Sequence, residues 1–235
     1  MNYDILYEDE CCLIVNKPSN LILHHSHFAR NIQETSLVEG LRDLTGISEL
    51  SPIHRLDRKT SGLVVFAKQK SNVSLFQAEF SKPESKKIYW ALMRGFVPEF
   101  GSIDSPVKNE KNNYKEAKTE YKTLLKIERN FEIPPYATQR YSVVELLAVT
   151  GRYHQLRQHA NKIAHPIIND PKHGNRHHNH YFSQVLNIPY LFLHAYSLEL
   201  ENPISGKVIN VKAPLPPFWK EFLNEDFELF CSTSE

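Results

Sequence analysis

The stretch Ser51–Lys68, SPIHRLDRKTSGLVVFAK, constrains this chain more than any other part of it. Leu63-Val64-Val65-Phe66-Ala67 has the length and β-branching of a buried strand. Pro52 biases the chain ahead of it towards extended backbone, and Ser61-Gly62 punctuates the entry to the strand. Asp57 therefore stands in a short polar loop at the edge of a core strand, between Arg55 and Arg58. A carboxylate held among fixed guanidinium groups on a rigid support has its ionised form favoured. Two readings stand at this point: a carboxylate placed for chemistry, or an Asp-capped turn flanked by solvated arginines.

The remainder of the chain supplies enough apolar residues for a sizeable core, in one large domain or two closely joined halves: 41% of its 235 residues are hydrophobic and 23% are charged. No apolar run approaches the roughly 18 residues that span a bilayer, and the acidic MNYDILYEDE start has no signal-peptide core. Cys11, Cys12 and Cys231 make no CxxC pair and no disulfide framework, which suits a reducing cytoplasm. No membrane partner is expected. The net charge of +1 hides an asymmetry. The last fifteen residues hold five acids and no Lys or Arg, leaving 28 basic and 22 acidic groups in the rest. Nine lysines and Arg94 fall between Lys82 and Lys126. Such a run is either a solvated face or a footprint for phosphates.

Taken in order, Cys12–Val15 reads as a strand that ends in the turn Asn16-Lys17-Pro18-Ser19-Asn20, where Asn20 tolerates left-handed backbone. Ser36-Leu37-Val38-Glu39 is a capping-box pattern opening a helix with Leu37, Val38, Leu41 and Leu44 on one face, closed by Gly46. A second helix starts near Ser71, with Val73, Phe76 and Phe80 together, and ends at Lys82-Pro83. Strands are expected at Lys86–Leu92, around Tyr121–Ile127, at Tyr141–Val149, around Tyr190–Leu200 and at Val208–Val211. Pro98–Lys118 reads as polar and irregular. After Gly151, Leu156, Ala160, Ile163 and Ala164 mark the buried face of a helix, with Arg157 at its margin. The Gly-containing turn before that helix, with Arg152, can hold an anion. A final helix carries Phe218, Trp219, Phe222 and Leu223 on one side, followed by an acidic tail at about 224–235. His24, His25 and His27, and the loop holding His173, His177, His178 and His180, have no cysteine at ligand spacing, so no metal site is expected.

His54-Arg55-Leu56-Asp57 with Thr60-Ser61-Gly62 resembles the catalytic motif of the RluA-type RNA pseudouridine synthases. Thr150-Gly151-Arg152-Tyr153-His154-Gln155-Leu156-Arg157 is similar to that family's second diagnostic block, TGRxHQLR. Asn16-Lys17-Pro18-Ser19, a Lys-x-Tyr-x-Ala setting around Tyr89, His165–Asp170 and Leu193-His194-Ala195 match further family segments. This chain has Asn20 and Asn169 where members usually carry Gly. The resemblance runs from Ile5 to about Phe222, in family order and at family-like separations.

The resemblance implies an α+β fold with a mixed, mainly antiparallel sheet and flanking helices, a central cleft, and a single catalytic domain over residues 1–235 with no S4-like domain ahead of it. It implies isomerisation of uridine to pseudouridine in RNA, with Asp57 as nucleophile, Tyr89 against the uracil ring and Arg157 as partner of Asp57. It also implies that Arg55 helps hold a flipped-out base. Arg58, Lys86, Lys87, Arg152 and His154 are expected among the RNA contacts. No cofactor is needed, because isomerisation involves no redox change and no gain of atoms. Compactness and the Lys172-His173-Gly174 segment point to the tRNA-acting branch, with ribosomal RNA as the alternative substrate, and to a monomer. A glycosidase pairing Asp57 with Asp170 suits the arginine-rich setting poorly. A non-catalytic RNA-binding protein would have no need of the Asp57, Tyr89 and Arg157 set.

Overall fold

The computed structural model describes residues 3–25, 34–227 and 230. In chain order it begins with β1 (Asp4–Glu8), β2 (Cys12–Lys17), α1 (Leu37–Thr45), β3 (Ser51–Pro52) and β4 (Ser61–Ala67). A 3-10 turn leads into α2 (Val73–Phe80), then β5 (Lys86–Arg94), β6 (Phe100–Asp104), β7 (Val107–Lys108) and β8 (Tyr114–Lys115). Next come β9 (Lys118–Arg129), β10 (Gln139–Ala148), α3 (Gln155–Lys162) and α4 (Arg176–His180). β11 (Leu193–Glu201), β12 (Val208–Lys212) and α5 (Pro217–Leu223) complete it. Two compact units emerge: Met1–Lys87 with Ala195–Pro214, and Ile88–His194 with Leu215–Glu235. The class is α+β with mainly antiparallel pairing.

In the first unit β2 lies between β1 and β4, and β4 also carries β3 and neighbours β11, to which β12 pairs. All seven residues of β4 are buried, as the apolar run requires. Gly62 enters this strand at φ +109°, and a Cβ there would stand 2.3 Å from the backbone oxygen of Ala195. Only glycine meets both the angle and the approach of β11. The capping box of α1 is complete: Ser36 Oγ accepts from the Glu39 N–H, the Glu39 carboxylate accepts from the Ser36 N–H, and Gly46 closes the helix at φ 71°. Leu44, expected on the buried face, is 56% exposed.

In the second unit the strands run β5–β10–β9–β6, all antiparallel. Ala91, Met93, Val144 and Leu146 from the strands pack with Leu156 and Ala160 of α3 in one apolar cluster, against which Tyr89 also lies. Aromatic packing closes another part: Phe182, Phe192, Phe218 and Phe222 meet at centroid distances of 5.1–5.8 Å, and Tyr141 joins them. α5 buries all four of the residues assigned to its inner face. Of the acidic tail, 228–229 and 231–235 lie outside the described residues, and Phe230 is buried edge-on against Trp90.

Three expectations need correction. Pro98–Lys118 is not irregular: it contains β6, β7 and β8, with Ile103, Val107 and Ala117 buried. These are short edge and hairpin strands with one polar face, so their apolar positions are too sparse to show a period. Ala164 does not extend the face of α3, because the helix ends at Lys162 and Ala164 adopts φ 62° beyond it, exposed. The histidine segment is largely helical: α4 runs directly into a wider π-type turn at Tyr181–Val185.

Replacing Gly62 by Ala should destabilise the fold by about 2 kcal/mol or more, since the side chain is opposed by both the backbone angle and the β11 backbone. Urea unfolding of the two proteins measures this, and equal midpoints would contradict it.

Candidate active site

Asp57 sits on a turn closed by the Thr60 N–H donating to the Asp57 carbonyl at 3.0 Å. Both ends of that turn are pinned within the first unit. On the upstream side, His54 Nε2 accepts the Val65 backbone N–H at 3.1 Å, and its ring stacks on Phe80 at 4.3 Å. Burial pushes the His54 pKa down to about 4, with the Arg55 backbone contact opposing and Lys87 adding, so the imidazole is neutral and free to accept. On the downstream side, three hydrogen bonds stitch the turn to the Asn16–Asn20 segment. Ser19 Oγ donates to the Lys59 carbonyl at 2.7 Å, Arg58 Nε to the Asn20 carbonyl at 2.9 Å, and Lys17 Nζ to the Arg58 carbonyl at 3.0 Å. Asn20 takes φ 68°, the left-handed backbone its position calls for.

Lys17 is a buried residue beside the Asp57 turn that sequence reasoning passed over. It is fully buried, and its ammonium also donates to the carbonyls of Pro18 at 2.9 Å and Leu21 at 3.1 Å. Burial lowers its pKa to about 7; the Asp57 carboxylate opposes that shift and the Arg58 guanidinium adds to it. Three carbonyl acceptors match the three N–H bonds of the charged form, whereas a neutral amine would turn its lone pair on one of them. The charged form is therefore the one this cage is built for. In the sequence Lys17 looks like any turn lysine, because the carbonyls that enclose it come from Leu21 and, far along the chain, Arg58.

In the second unit Arg157 is buried, and its guanidinium meets Asp170 edge to edge. Nε donates to Oδ2 and Nη2 to Oδ1, each at 2.7 Å, with side-chain exposures of 6% and 0%. Asp170 Oδ1 also accepts the backbone N–H groups of Lys172 and His173, both at 2.9 Å. Desolvation alone would raise the Asp170 carboxyl, but the Arg157 bonds and charge and these two N–H groups outweigh it and hold it below the ordinary carboxylate range. Asp170 was expected only as fold support, and nothing in its distance from Arg157 along the chain marks the pair. Asn169, at the position where the family carries Gly, takes φ 60° and ties its amide to the carbonyls of Ile188 and Tyr190. Gly174 admits the Asp170 carbonyl where a Cβ would stand 2.3 Å away.

The remaining groups of the second motif shape the entry to α3. Gln155 Oε1 accepts from Thr150 Oγ1 at 2.6 Å and from the Arg152 N–H at 3.1 Å, while Nε2 donates to Lys118 and Thr119 of β9. His154, at φ 48°, has its Nε2 2.7 Å from Arg157 Nη1 and its Nδ1 3.1 Å from His173 Nε2. Tyr89 stands on β5 opposite Leu146 of β10, half-buried against the cluster that also holds Leu156. A shared core thus supports Tyr89 and the helix bearing Arg157. Among the expected RNA contacts, Arg55 is exposed and Arg58 is additionally paired to Glu34 at 3.1 Å. Lys86 is paired to Glu199 at 3.0 Å, Lys87 donates to the Phe80 carbonyl at 3.0 Å, and Arg152 Nε donates to the Glu116 carbonyl at 3.1 Å. Among the described residues no three His, Cys, Asp or Glu side chains converge as metal ligands. His178 instead meets the Tyr141 hydroxyl at 3.1 Å, and burial takes its pKa down to about 4. His27 lies outside the described residues.

Comparison with known proteins bears directly on this arrangement. Residues 12–162, which include the Asp57 turn, Tyr89 and Arg157, match the family model described as RNA pseudouridylate synthase. The chain belongs to the RNA pseudouridylate synthase family. It is 35% identical to tRNA pseudouridine synthase C of Vibrio vulnificus, over 96% of this chain and 95% of that protein. Its identity to the protein of the same name from Vibrio cholerae is 36%, over 94% and 95%. Human RNA Pseudouridylate Synthase Domain Containing 1 shares the fold with a TM-score of 0.71 at 24% identity, covering 92% of this chain and 84% of its own. Domain Containing 4 does so at 0.70 and 24%, covering 94% and 91%. The chain is thus a pseudouridine synthase, an isomerase, of the tRNA pseudouridine synthase C type. The family match replaces the glycosidase reading, and the lowered Asp170 carboxyl does not suit a general acid.

Two outcomes follow for this pseudouridine synthase. Lys17→Met should cost about 3 kcal/mol in urea unfolding, because three carbonyls lose their donor at once; a loss under about 0.5 kcal/mol would contradict the cage. The second concerns acid. Asp170 is more acidic folded than unfolded, so its stabilisation is complete above the ordinary carboxylate value of about 4 and is lost as pH falls through the lower folded value. Asp170→Asn should be less stable at pH 7 by about 3–5 kcal/mol and lose less between pH 4 and pH 2 than the parent chain. Parallel acid dependence of the two proteins in urea unfolding would contradict the assignment.

Proposed function

We propose that this pseudouridine synthase isomerises one uridine in tRNA, near the junction of the acceptor and T arms, with Asp57 as nucleophile and with Tyr89 and Arg157 as its other catalytic residues. The observation that carries the substrate is the similarity to tRNA pseudouridine synthase C, which extends over 94–96% of this chain. The same extent supports one catalytic domain spanning residues 1–235.

The chemistry asks for few groups. The bond between C1′ and N1 breaks, the uracil turns, a bond forms between C1′ and C5, and the C5 proton is lost while N1 gains one. Positive charge that develops at C1′ needs a fixed carboxylate, and Asp57 rides on a turn pinned at both ends. Tyr89 offers a ring face for uracil and a hydroxyl for the C5 proton. Arg157 supplies a guanidinium whose Nε and Nη2 are already committed, so its orientation is fixed before RNA arrives. A base in folded RNA must leave its stack to be reached, and Arg55 is the residue assigned to holding it out. Arg58, Lys86, Lys87 and Arg152 serve as phosphate contacts, each exchanging an internal partner for RNA.

The test is to incubate the purified chain separately with unmodified tRNA transcripts and with 23S ribosomal RNA, then map pseudouridine in each. One modified uridine in tRNA is expected, with binding that weakens steeply as salt rises. Modification of ribosomal RNA alone would overturn the tRNA substrate and leave the reaction standing.

A further inference from the structure

Arg157 is held from two sides, and the second side has a direction built into it. A guanidinium only donates hydrogen bonds. The 2.7 Å contact between Arg157 Nη1 and His154 Nε2 therefore requires a lone pair on that nitrogen. The proton of a neutral His154 must then sit on Nδ1, where it points at His173 Nε2, 3.1 Å away. His173 Nε2 in turn must accept. Protonating either Nε2 sets one N–H against another. The His173 backbone N–H closes the ring by donating to Asp170 Oδ1, the same oxygen that accepts from Arg157 Nη2.

The geometry points to His154 and His173 as positioning residues for Arg157, an imidazole pair that meets the Nη1 edge of the guanidinium with Nε2 of both rings unprotonated. This rests on the reading that Arg157 takes part in the reaction. Lys172, in the turn after Asn169, holds its ammonium 5.4 Å over the Tyr153 ring. Tyr153 itself stacks on His154 at 3.9 Å and 16°, holding the imidazole plane.

The consequence for catalysis is a rate that depends on this pair. Tritium release from tRNA labelled at uridine C5, measured from pH 5.5 to 8.5, reads it. His154→Phe should lower kcat by about tenfold or more across the range with KM changed by less than about twofold, because a misoriented guanidinium costs rate rather than binding. His154→Gln restores an acceptor for Arg157 and a donor for His173 without a titrating group. It should recover most of kcat at pH 8. Wild-type kcat in His154→Phe, or a His154→Gln kcat as low as that of His154→Phe, would overturn the proposal. A measurement on the unaltered full chain stands apart from any folding defect. The 15N spectrum of the histidine side chains at pH 8 should show both rings protonated at Nδ1, and an Nε2 proton on His154 would overturn the proposal outright. Arg157→Met separates the two levels. If it turned over normally, the catalytic role of Arg157 would fall, while the nitrogen spectrum would still decide the pair.

Discussion

The contact between Arg157 and Asp170 organises the second unit's part of the candidate site. Two opposite charges are withdrawn from water there, and such a pair adds little net stability, because desolvation offsets most of its attraction. Its value is placement. Leu156 and Ala160 anchor α3 in the apolar cluster, Asp170 is fixed by two backbone N–H groups and the close approach of Gly174, and Arg157 is left with a single orientation. Removing either partner strands a charge in the core, so the pair is far easier to keep than to lose.

The first unit solves the matching problem for a carboxylate with the opposite sign of buried charge. Lys17 sinks its ammonium into three backbone carbonyls and thereby binds the Asn16–Asn20 segment to the Asp57 turn. His54 secures the other end of that turn on β4, and it accepts a backbone N–H because burial keeps it neutral. Both devices fix the backbone that carries Asp57. They also account physically for the company the two short motifs keep. Asn-Lys-Pro-Ser and His-Arg-Leu-Asp are halves of one hydrogen-bonded assembly.

How much of this was legible in the sequence follows from the range of the interactions. Elements set by local pattern were readable: the all-buried β4, the capping box and Gly46 of α1, the aromatic face of α5 and the left-handed Asn20. Short strands between Phe100 and Lys115 were not, because their pairing partners lie elsewhere and their own composition is polar. The family resemblance proposed Asp57, Tyr89 and Arg157 as the site, but no spacing rule could announce that Asp170 would grip Arg157 or that Lys17 would be buried. Both depend on which backbone comes to lie beside them. Histidines scattered along the chain likewise gave no hint that His178 would serve the aromatic core and His173 would face His154.

The central claim is that a fixed Asp57 carboxylate drives uridine isomerisation. It is tested most directly by single-turnover tritium release from C5-labelled tRNA with the parent chain and Asp57→Asn, at RNA concentrations where both are saturated. The amide preserves shape and hydrogen bonding but removes the charge needed at C1′. The account predicts complete release by the parent chain and none above background by Asp57→Asn, with RNA affinity retained. Release by Asp57→Asn at a rate near that of the parent would contradict it.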